Sequence, residues 1–424
     1  MHKNLIKIAI LNYLYTGYSV SSIRKTLKNE LNNIDKINSA KNSQLLVDVS
    51  VIIQGDARTG IQRVVRAILS ELLSNPPLGY EVRPIYANKN QSYCYAPLEF
   101  DLKNKYSSIE LFKGEKVRVS QGDIFLALDL CTQQLSSNIK QLEDWKRNGV
   151  SIHVVVYDLF PVINPEWFNT RTTINFYRWL RTIAILADTA ICISNDVKKE
   201  LEKWLKSKYG ISESRFPINV MTMGWDLTST IPNYGIPKES ELIYASISNV
   251  NTALMIGTIE PRKGHEKVLN AFEILWNQGY GYQLVIIGQA GWKTKNLQKR
   301  IKKHPLIEKK LFWLNQVSDE YLEGIIQNSF GLISASEGEG FGLPIVEVAK
   351  YKKPMLVRNL DVYREIKYPK TYFTKDEENQ LANDIKNWFN YPTLNDLDAV
   401  QINQQMWKDT VIDIVKYMNV IKIH

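Results

Sequence analysis

The sequence predicts an α/β protein built from two successive doubly wound, Rossmann-like domains that face a cleft. Three observations predict it. The chain has 424 residues, more than one ordinary hydrophobic core serves. Short, wholly apolar runs of strand length alternate with amphipathic helical segments, as in parallel sheets covered on both faces. That alternation breaks at a polar, proline-bearing stretch, TSTIPNYGIPKES (228–240), and then restarts. The expected organisation is a helical extension at 1–43, a first domain at 44–230, a second at 241–400 and a closing helical segment at 401–424.

The extension reads as amphipathic. Leu5, Ile6, Ala9, Ile10, Tyr13 and Leu14 share one helical face, and Lys3, Lys7, Arg24, Lys25 and Lys28 add positive charge. Two readings stay open: a helix lying on a membrane surface, or one docked on the protein's own body. Lys7 and Asn12 interrupt the apolar stretch and no A-x-A site follows, so a signal peptide is not expected. No run of about 18 apolar residues occurs, so no spanning helix is expected.

LLVDVSVII (45–53) then reads as a strand and QGDARTG as a loop. IQRVVRAILSELLSN is a helix, because Ile61, Val64, Val65, Ile68, Leu69, Leu72 and Leu73 keep helical spacing. GDIFLALDL (122–130), SIHVVVYDLF (151–160) and ADTAICIS (187–194) read as buried strands. A helix follows from Asp196 to about Lys206, with Asn195 as N-cap. In the second domain the strands are 251–257, 282–288, 311–315, 330–336 and 354–359. HEKVLNAFEILWNQG is a helix stopped by Gly279, and QQMWKDTVIDIVKYM (404–418) is the last helix. Ligands of such sheets bind at the C-terminal ends of the parallel strands.

Composition narrows the partners. Lys plus Arg number 53 against 44 Asp plus Glu, a net charge of +9. This favours polyanions only weakly, since a Lys-rich and Asn-rich composition explains it as well. No aromatic–basic interleaving supports a nucleic-acid role. Cys94, Cys131 and Cys192 are far apart, a reduced, intracellular pattern. The five histidines form no ligand pair, so no metal and no cofactor is expected.

The segment most laden with chemistry is SEGEGFGLPIVE (336–347). A strand ends at Ser336, and Gly338, Gly340 and Gly342 permit a tight backbone path. Pro344 suits the first helical position. The helix from Leu343 then presents free N–H groups to an anion such as a diphosphate. Glu339 and Glu347 can accept hydrogen bonds from paired hydroxyls. The competing reading is a plain strand–turn–helix with two solvated glutamates. In GTIEPRKG (257–264), Arg262 and Lys263 follow a strand and can neutralise a departing diphosphate; a solvated turn is the alternative.

These segments resemble the retaining glycosyltransferases of the GT-B fold, in the family often called family 4. Glu339 and Glu347 have the spacing of its E-x7-E signature. The resemblance implies that Glu339 holds the transferred sugar's hydroxyls and Glu347 the nucleotide ribose. Backbone at Gly340, Phe341, Gly342 and Leu343 would contact sugar and phosphate. Gly257, Thr258, Arg262 and Lys263 resemble the diphosphate loop. Many members carry arginine directly after the glycine, where this chain has Thr258. IGQAGW (287–292), with Gly288, resembles the family's glycine loop, and VSDE (317–320), with Val317, the helix start near the base. Asn359–Glu365 is similar to the segment following the E-x7-E helix. GDARTGI (55–61) would face donor phosphate and acceptor through Arg58, Thr59 and Gly60. VYDLFP (156–161) resembles H-D-L-x-P, but Tyr157 replaces the histidine, and no role passes to His153. Asp158 either positions groups near the acceptor hydroxyl or caps the following turn. Met406–Asp409 looks like the terminal helix that crosses back to the first domain.

The resemblance covers roughly residues 45–420. TGIQRVVR, YDLFP, GTIEPRKG and SEGEGFGLP look most like mannosyl or rhamnosyl transferases of bacterial surface polysaccharides. It implies metal-independent transfer of a hexose with retention, in the cytoplasm or at the inner face of the membrane, to a glycan or lipid-linked acceptor. GDP-mannose is the leading donor, with dTDP-rhamnose and UDP-sugars behind it. A nucleotide-sugar epimerase or phosphorylase of the same fold, or a non-catalytic nucleotide-sugar-binding partner, are the alternatives.

Overall fold

The structure is a computed structural model that describes residues 20, 23–25, 43–55, 59–88, 91–97, 114–225, 234–238, 240–373, 377–390 and 406–419. They fall into two compact units, one within Met1–Ile231 and Gln405–His424, the other within Pro232–Gln404. Together they show two mainly parallel sheets, each layered with helices.

The first unit carries β1 (Ser43–Asp48), β2 (Tyr80–Asn88), β3 (Gln91–Tyr95), β4 (Ile124–Ala127), β5 (Ser151–Val156), β6 (Thr189–Cys192) and β7 (Ile218–Val220). The spatial order is β3-β2-β1-β4-β5-β6-β7. Among the named strands of this unit the β2–β3 hairpin is antiparallel and the other pairs are parallel; the hairpin's register shifts between Tyr86 and Asn88. β4, β5 and β6 are almost wholly buried, because helices cover both faces.

Three local expectations change here. The first strand stops at Asp48 rather than Ile53. The buried Asp48 carboxylate accepts Ser50 N–H at 2.9 Å and the Ser50 hydroxyl, which turns the chain out of the ladder. The helix beyond β6 runs Asn195–Tyr209 and is capped by Ser194, not Asn195. Ser194 is extended and its Oγ accepts the Val197 N–H at 3.2 Å, so Asn195 is already the first helical residue. In the second unit, Pro344 is the second helical residue and Leu343 the first, because Gly342, at φ +105°, turns the chain into the helix.

Part of the extension docks on the first unit. Val20 is fully buried. Arg24 donates to the Ala184 and Ala187 carbonyls at 3.1 and 2.8 Å, at the end of the Thr170–Leu186 helix, and lies over the Phe216 ring. Those contacts favour the body-docking reading for these residues; the rest of 1–42 lies outside the described residues, as does Arg58. The Trp407–Tyr417 helix also packs on the first unit. Its Asp413 and Thr410 side chains accept the Thr222 and Gly224 N–H groups at 2.7 and 2.8 Å.

The second unit carries β8 (Thr252–Ile256), β9 (Gln283–Ile287), β10 (Leu311–Leu314), β11 (Gly331–Ser334), β12 (Met355–Arg358) and β13 (Thr371–Phe373), all parallel, in the order β10-β9-β8-β11-β12-β13. One face packs on Val268, Leu269, Phe272 and Trp276 with Trp388 and Phe389. The other packs on Tyr321, Ile325, Ile345, Val348 and Tyr363. Each such side chain contributes roughly 1.5–3 kcal/mol when buried. No helix among the described residues is long and apolar enough to cross a membrane.

Candidate functional site

Adjacency of β8 and β11 builds the site. Parallel neighbours end on the same side, so the loop after β8 (257–264) and the loop after β11 (335–342) must meet there. Each loop is stitched to the other. Glu337 N–H donates to the Arg262 carbonyl at 2.7 Å. The Arg262 guanidinium donates to the Gly338 carbonyl at 2.7 Å. Gly264, at φ +70°, lies so close to β11's exit that a Cβ there would sit 2.4 Å from the Ala335 carbonyl oxygen.

Within this junction Glu339 is gripped by two cations. Its carboxylate accepts Arg262 Nη1 at 2.9 Å and pairs with Lys263 Nζ. Arg262 Nη2 reaches Glu260 at 2.8 Å. Lys267 and Glu337 add an outer pair at 2.7 Å. The Glu339 side chain is 10% exposed and those of Arg262 and Lys263 are 17% and 13% exposed. Burial pushes the Glu339 carboxyl up, but Lys263 and Arg262 outweigh it and hold the group down at about 2. Glu260 is pushed up by burial, against the pull of Arg262 and Lys263. His265 beside them is buried, and burial with the Lys263 charge holds it down at about 3, so it is neutral. The cluster thus balances two cations against two acids, with both cations at the mouth of the strands.

Nearby backbone closes tightly around this cluster. A Cβ on Gly288 would lie 2.0 Å from the Gly257 carbonyl oxygen, and one on Gly291 2.5 Å from that of Ile259. Gly257, Thr258 and Gly288 are therefore brought together at the ends of β8 and β9, with Lys263 Cε 3.5 Å from the Gly257 Cβ position. Gly342 packs on Tyr363, whose hydroxyl shares a hydrogen bond of 2.6 Å with Ser334. Gly340, Phe341 and Leu343 lie on the loop and helix start. Glu347 is 5% exposed within the Leu343–Ala349 helix. The reading of two solvated glutamates therefore fails. Val317 precedes Ser318, which caps the Asp319–Asn328 helix and donates to the Gly235 carbonyl at 2.6 Å.

The remaining candidates belong to the first unit. Thr59 caps the Gly60–Ser74 helix in a capping box with Gln62, and Gly60 is its first residue. Tyr157 follows β5 directly and turns inward. Its side chain is buried and its hydroxyl donates to the Leu128 carbonyl at 2.8 Å. Asp158 accepts the Phe160 N–H at 3.2 Å, the turn-capping geometry. It also adds to the charge that, after burial and Asp196, pushes the Glu200 carboxyl up to about 7.

Three acids were not singled out from the sequence. Glu260 lies inside GTIEPRKG, where the adjacent Arg–Lys pair drew the attention. Asp48 and Asp129 each end an apolar strand run, a signal visible in LLVD and ALDL. Both are buried: Asp48 also accepts the Tyr93 hydroxyl at 2.6 Å, and Asp129 accepts Val51, Ile52 and Leu130 N–H groups at 2.9, 2.7 and 2.8 Å. No cluster of His, Cys, Asp and Glu among the described residues is placed to hold a metal ion.

Known proteins resemble this chain. Residues 241–403 match the model of the glycosyl transferases group 1. A serotype-specific mannosyltransferase WbdA of Escherichia coli is 35% identical over 388 residues, 89% of this chain and 45% of the relative. An O-antigen chain mannosyltransferase B of Escherichia coli is 31% identical over 115 residues, 27% of this chain and 30% of that protein. The chain spans about half the length of the WbdA relatives it matches. Among solved structures, Anabaena Alr3699/HepE in complex with UDP and glucose has a TM-score of 0.56 at 13% identity, covering 89% of this chain and 99% of that one. A glycosyltransferase from Rickettsia africae has a TM-score of 0.56 at 18% identity, covering 91% and 100%. At these identities the likeness shows the fold, which is GT-B.

Proposed function

We propose that the chain, whose residues 241–403 match the model of the glycosyl transferases group 1, is a retaining glycosyltransferase that moves mannose from GDP-mannose to a glycan or lipid-linked acceptor in bacterial surface-polysaccharide synthesis. One observation carries the reading: Glu339, Arg262 and Lys263 converge where the loops after β8 and β11 meet. The mannosyl and O-antigen assignments draw on the relatives, a serotype-specific mannosyltransferase and an O-antigen chain mannosyltransferase.

In this reading the donor's diphosphate takes over the two cations. Glu339 is then released to accept hydrogen bonds from the sugar's hydroxyls, and Glu347 does the same for the ribose. Gly257, Thr258 and Gly288 admit the nucleotide's phosphates close to backbone, and Val317 lies toward the base. As the sugar–phosphate bond breaks, negative charge grows on the leaving diphosphate. Arg262 and Lys263 stabilise it without rearranging, which is where such sites gain most. An oxocarbenium-like centre forms, and the acceptor hydroxyl attacks from the face the diphosphate leaves. The departing phosphate takes the acceptor's proton, so neither a metal nor a cofactor is required. A lipid-linked acceptor places the reaction in the cytoplasm, at the inner face of the membrane.

The test is transfer by the purified chain from GDP-mannose, UDP-glucose and dTDP-rhamnose to an oligosaccharide acceptor. Glu339→Ala and Lys263→Ala are expected to abolish transfer while leaving the fold intact. Turnover near wild type in either variant overturns the site assignment. Product formed from donor alone would instead favour an epimerase.

A further inference from the structure

The positive charge of this chain is densest in one segment of the second unit. Residues 293–310, KTKNLQKRIKKHPLIEKK, hold eight cations and one acid, while the whole chain has a net charge of +9. General Lys-richness does not explain this, since the other 406 residues are nearly balanced. The segment forms the Lys295–Lys302 helix after β9 and the turns that lead into β10.

The fold uses only part of that charge. Leu297 and Ile301 bury the inner face of the helix in the second unit's core. Arg300 is taken up by Glu273 at 2.6 Å and Lys310 by the Tyr280 carbonyl at 3.1 Å. Lys295, Lys299, Lys303 and Lys309 are exposed, as are Lys293 and Lys302, the latter with its Nζ 5.2 Å over the Trp313 ring. Trp292, which opens the segment, is 40% exposed.

From this distribution we infer that the face formed by residues 292–310 is a docking surface for an anionic lipid bilayer. The cations are lysines, compact point charges without the guanidinium fork that reads one phosphate or carboxylate bidentately. They spread over a helix and a turn, which suits a diffuse planar anion. An indole at the edge of such a patch is the side chain that favours the headgroup level. Each lysine brought to an anionic surface strengthens binding about fivefold. The inference goes beyond the transferase reading and stands on the charge distribution, whatever reaction the chain performs.

Co-sedimentation of the full chain with vesicles tests it. Wild type is expected to pellet with phosphatidylcholine vesicles containing about 30% phosphatidylglycerol and not with pure phosphatidylcholine. Binding should fade at about 0.5 M salt. The neutral K295Q/K299Q/K303Q should weaken binding about a hundredfold, and K295E/K299E/K303E more than that. A matched reversal on the first unit's Asn195–Tyr209 helix, K199E/K203E/K206E, should have no more than a twofold effect. Glu339→Gln should still pellet, which separates this inference from the fate of the donor site. Equal binding by K295E/K299E/K303E overturns the proposal. So does equal binding to neutral vesicles, or tighter binding at the same salt to a single-stranded oligonucleotide.

Discussion

Glu339 and Lys263 lie 76 residues apart in the chain and meet as a part-buried ion pair between adjacent strand ends. Arg262 completes the grip from the same turn. Removing Lys263 or Glu339 should lower transfer at least a hundredfold, the scale of losing a preorganised electrostatic contact. Kinetics with nucleotide sugar check this, with circular dichroism as the fold control. The sign of the pH effect follows from the depressed Glu339 group. Its stabilisation is present above about 4.5 and is lost as pH falls through about 2. Glu339 therefore adds no pH dependence to thermal stability between pH 6 and 8.

Asp129 predicts the opposite slope. Burial raises its carboxyl to about 7, with a contribution from Asp48, although the Ile52, Leu130 and Val51 N–H groups favour the ionised form. A group raised in the folded state stabilises most below its unfolded value and loses that contribution as pH rises through the folded one. The contribution of this group should fall by roughly 2–4 kcal/mol between about pH 4 and 7. In Asp129→Asn the difference in Tm between pH 5 and pH 8 should shrink. Glu200, also raised to about 7, has the same sign, whereas the buried His153 and His265, held down at about 4 and about 3, have the opposite one, so the comparison of variant with wild type isolates Asp129.

Gly264 and Gly279 separate close approach from backbone conformation. Both have positive φ, +70° and +89°, but a Cβ at Gly279 meets nothing within 4 Å, whereas at Gly264 it strikes the Ala335 carbonyl. Gly279→Ala should cost about 1–2 kcal/mol for the left-handed conformation alone. Gly264→Ala should cost clearly more, about 3 kcal/mol or above, and should weaken nucleotide binding by parting the two loops. Denaturant titration and calorimetric binding read the two effects.

Arg24 carries the described contacts of the extension. Arg24→Ala removes the donors to the Ala184 and Ala187 carbonyls and the cation over Phe216. A loss of roughly 1–3 kcal/mol is expected, measured as a lower Tm.

Tyr157 stands where the H-D-L-x-P element that this segment resembles has histidine, yet its hydroxyl serves the Leu128 carbonyl inside the first unit. Tyr157→Phe should keep transfer within about threefold while costing about 1 kcal/mol of stability. A loss of transfer comparable to that of Lys263→Ala would restore a chemical role to this side chain.

Much of the second unit was readable because its strands are buried on both faces and announce themselves as apolar runs. The first unit was less so. β2, β3 and β7 went unread: β2 mixes exposed and buried positions, β7 is three residues long, and β3 is an edge strand of a hairpin. The strand end at Asp48 and the Ser194 cap were missed for one shared reason. Each depends on which backbone N–H a side chain reaches, and strings of apolar residues carry no such information.

The sequence alone determined that two parallel sheets would form and that GTIEPRKG and SEGEGFGLP would follow strands, because periodicity and glycine spacing are local properties. Only the tertiary structure decided that β8 lies beside β11, and hence that Arg262 and Lys263 close on Glu339. It also decided that Tyr157 turns inward to Leu128 and that Asp129 is buried deeply enough to titrate near neutrality. Strand order and burial arise from packing between distant segments, and the charge state of a carboxyl depends on the dielectric and the partners that packing brings to it.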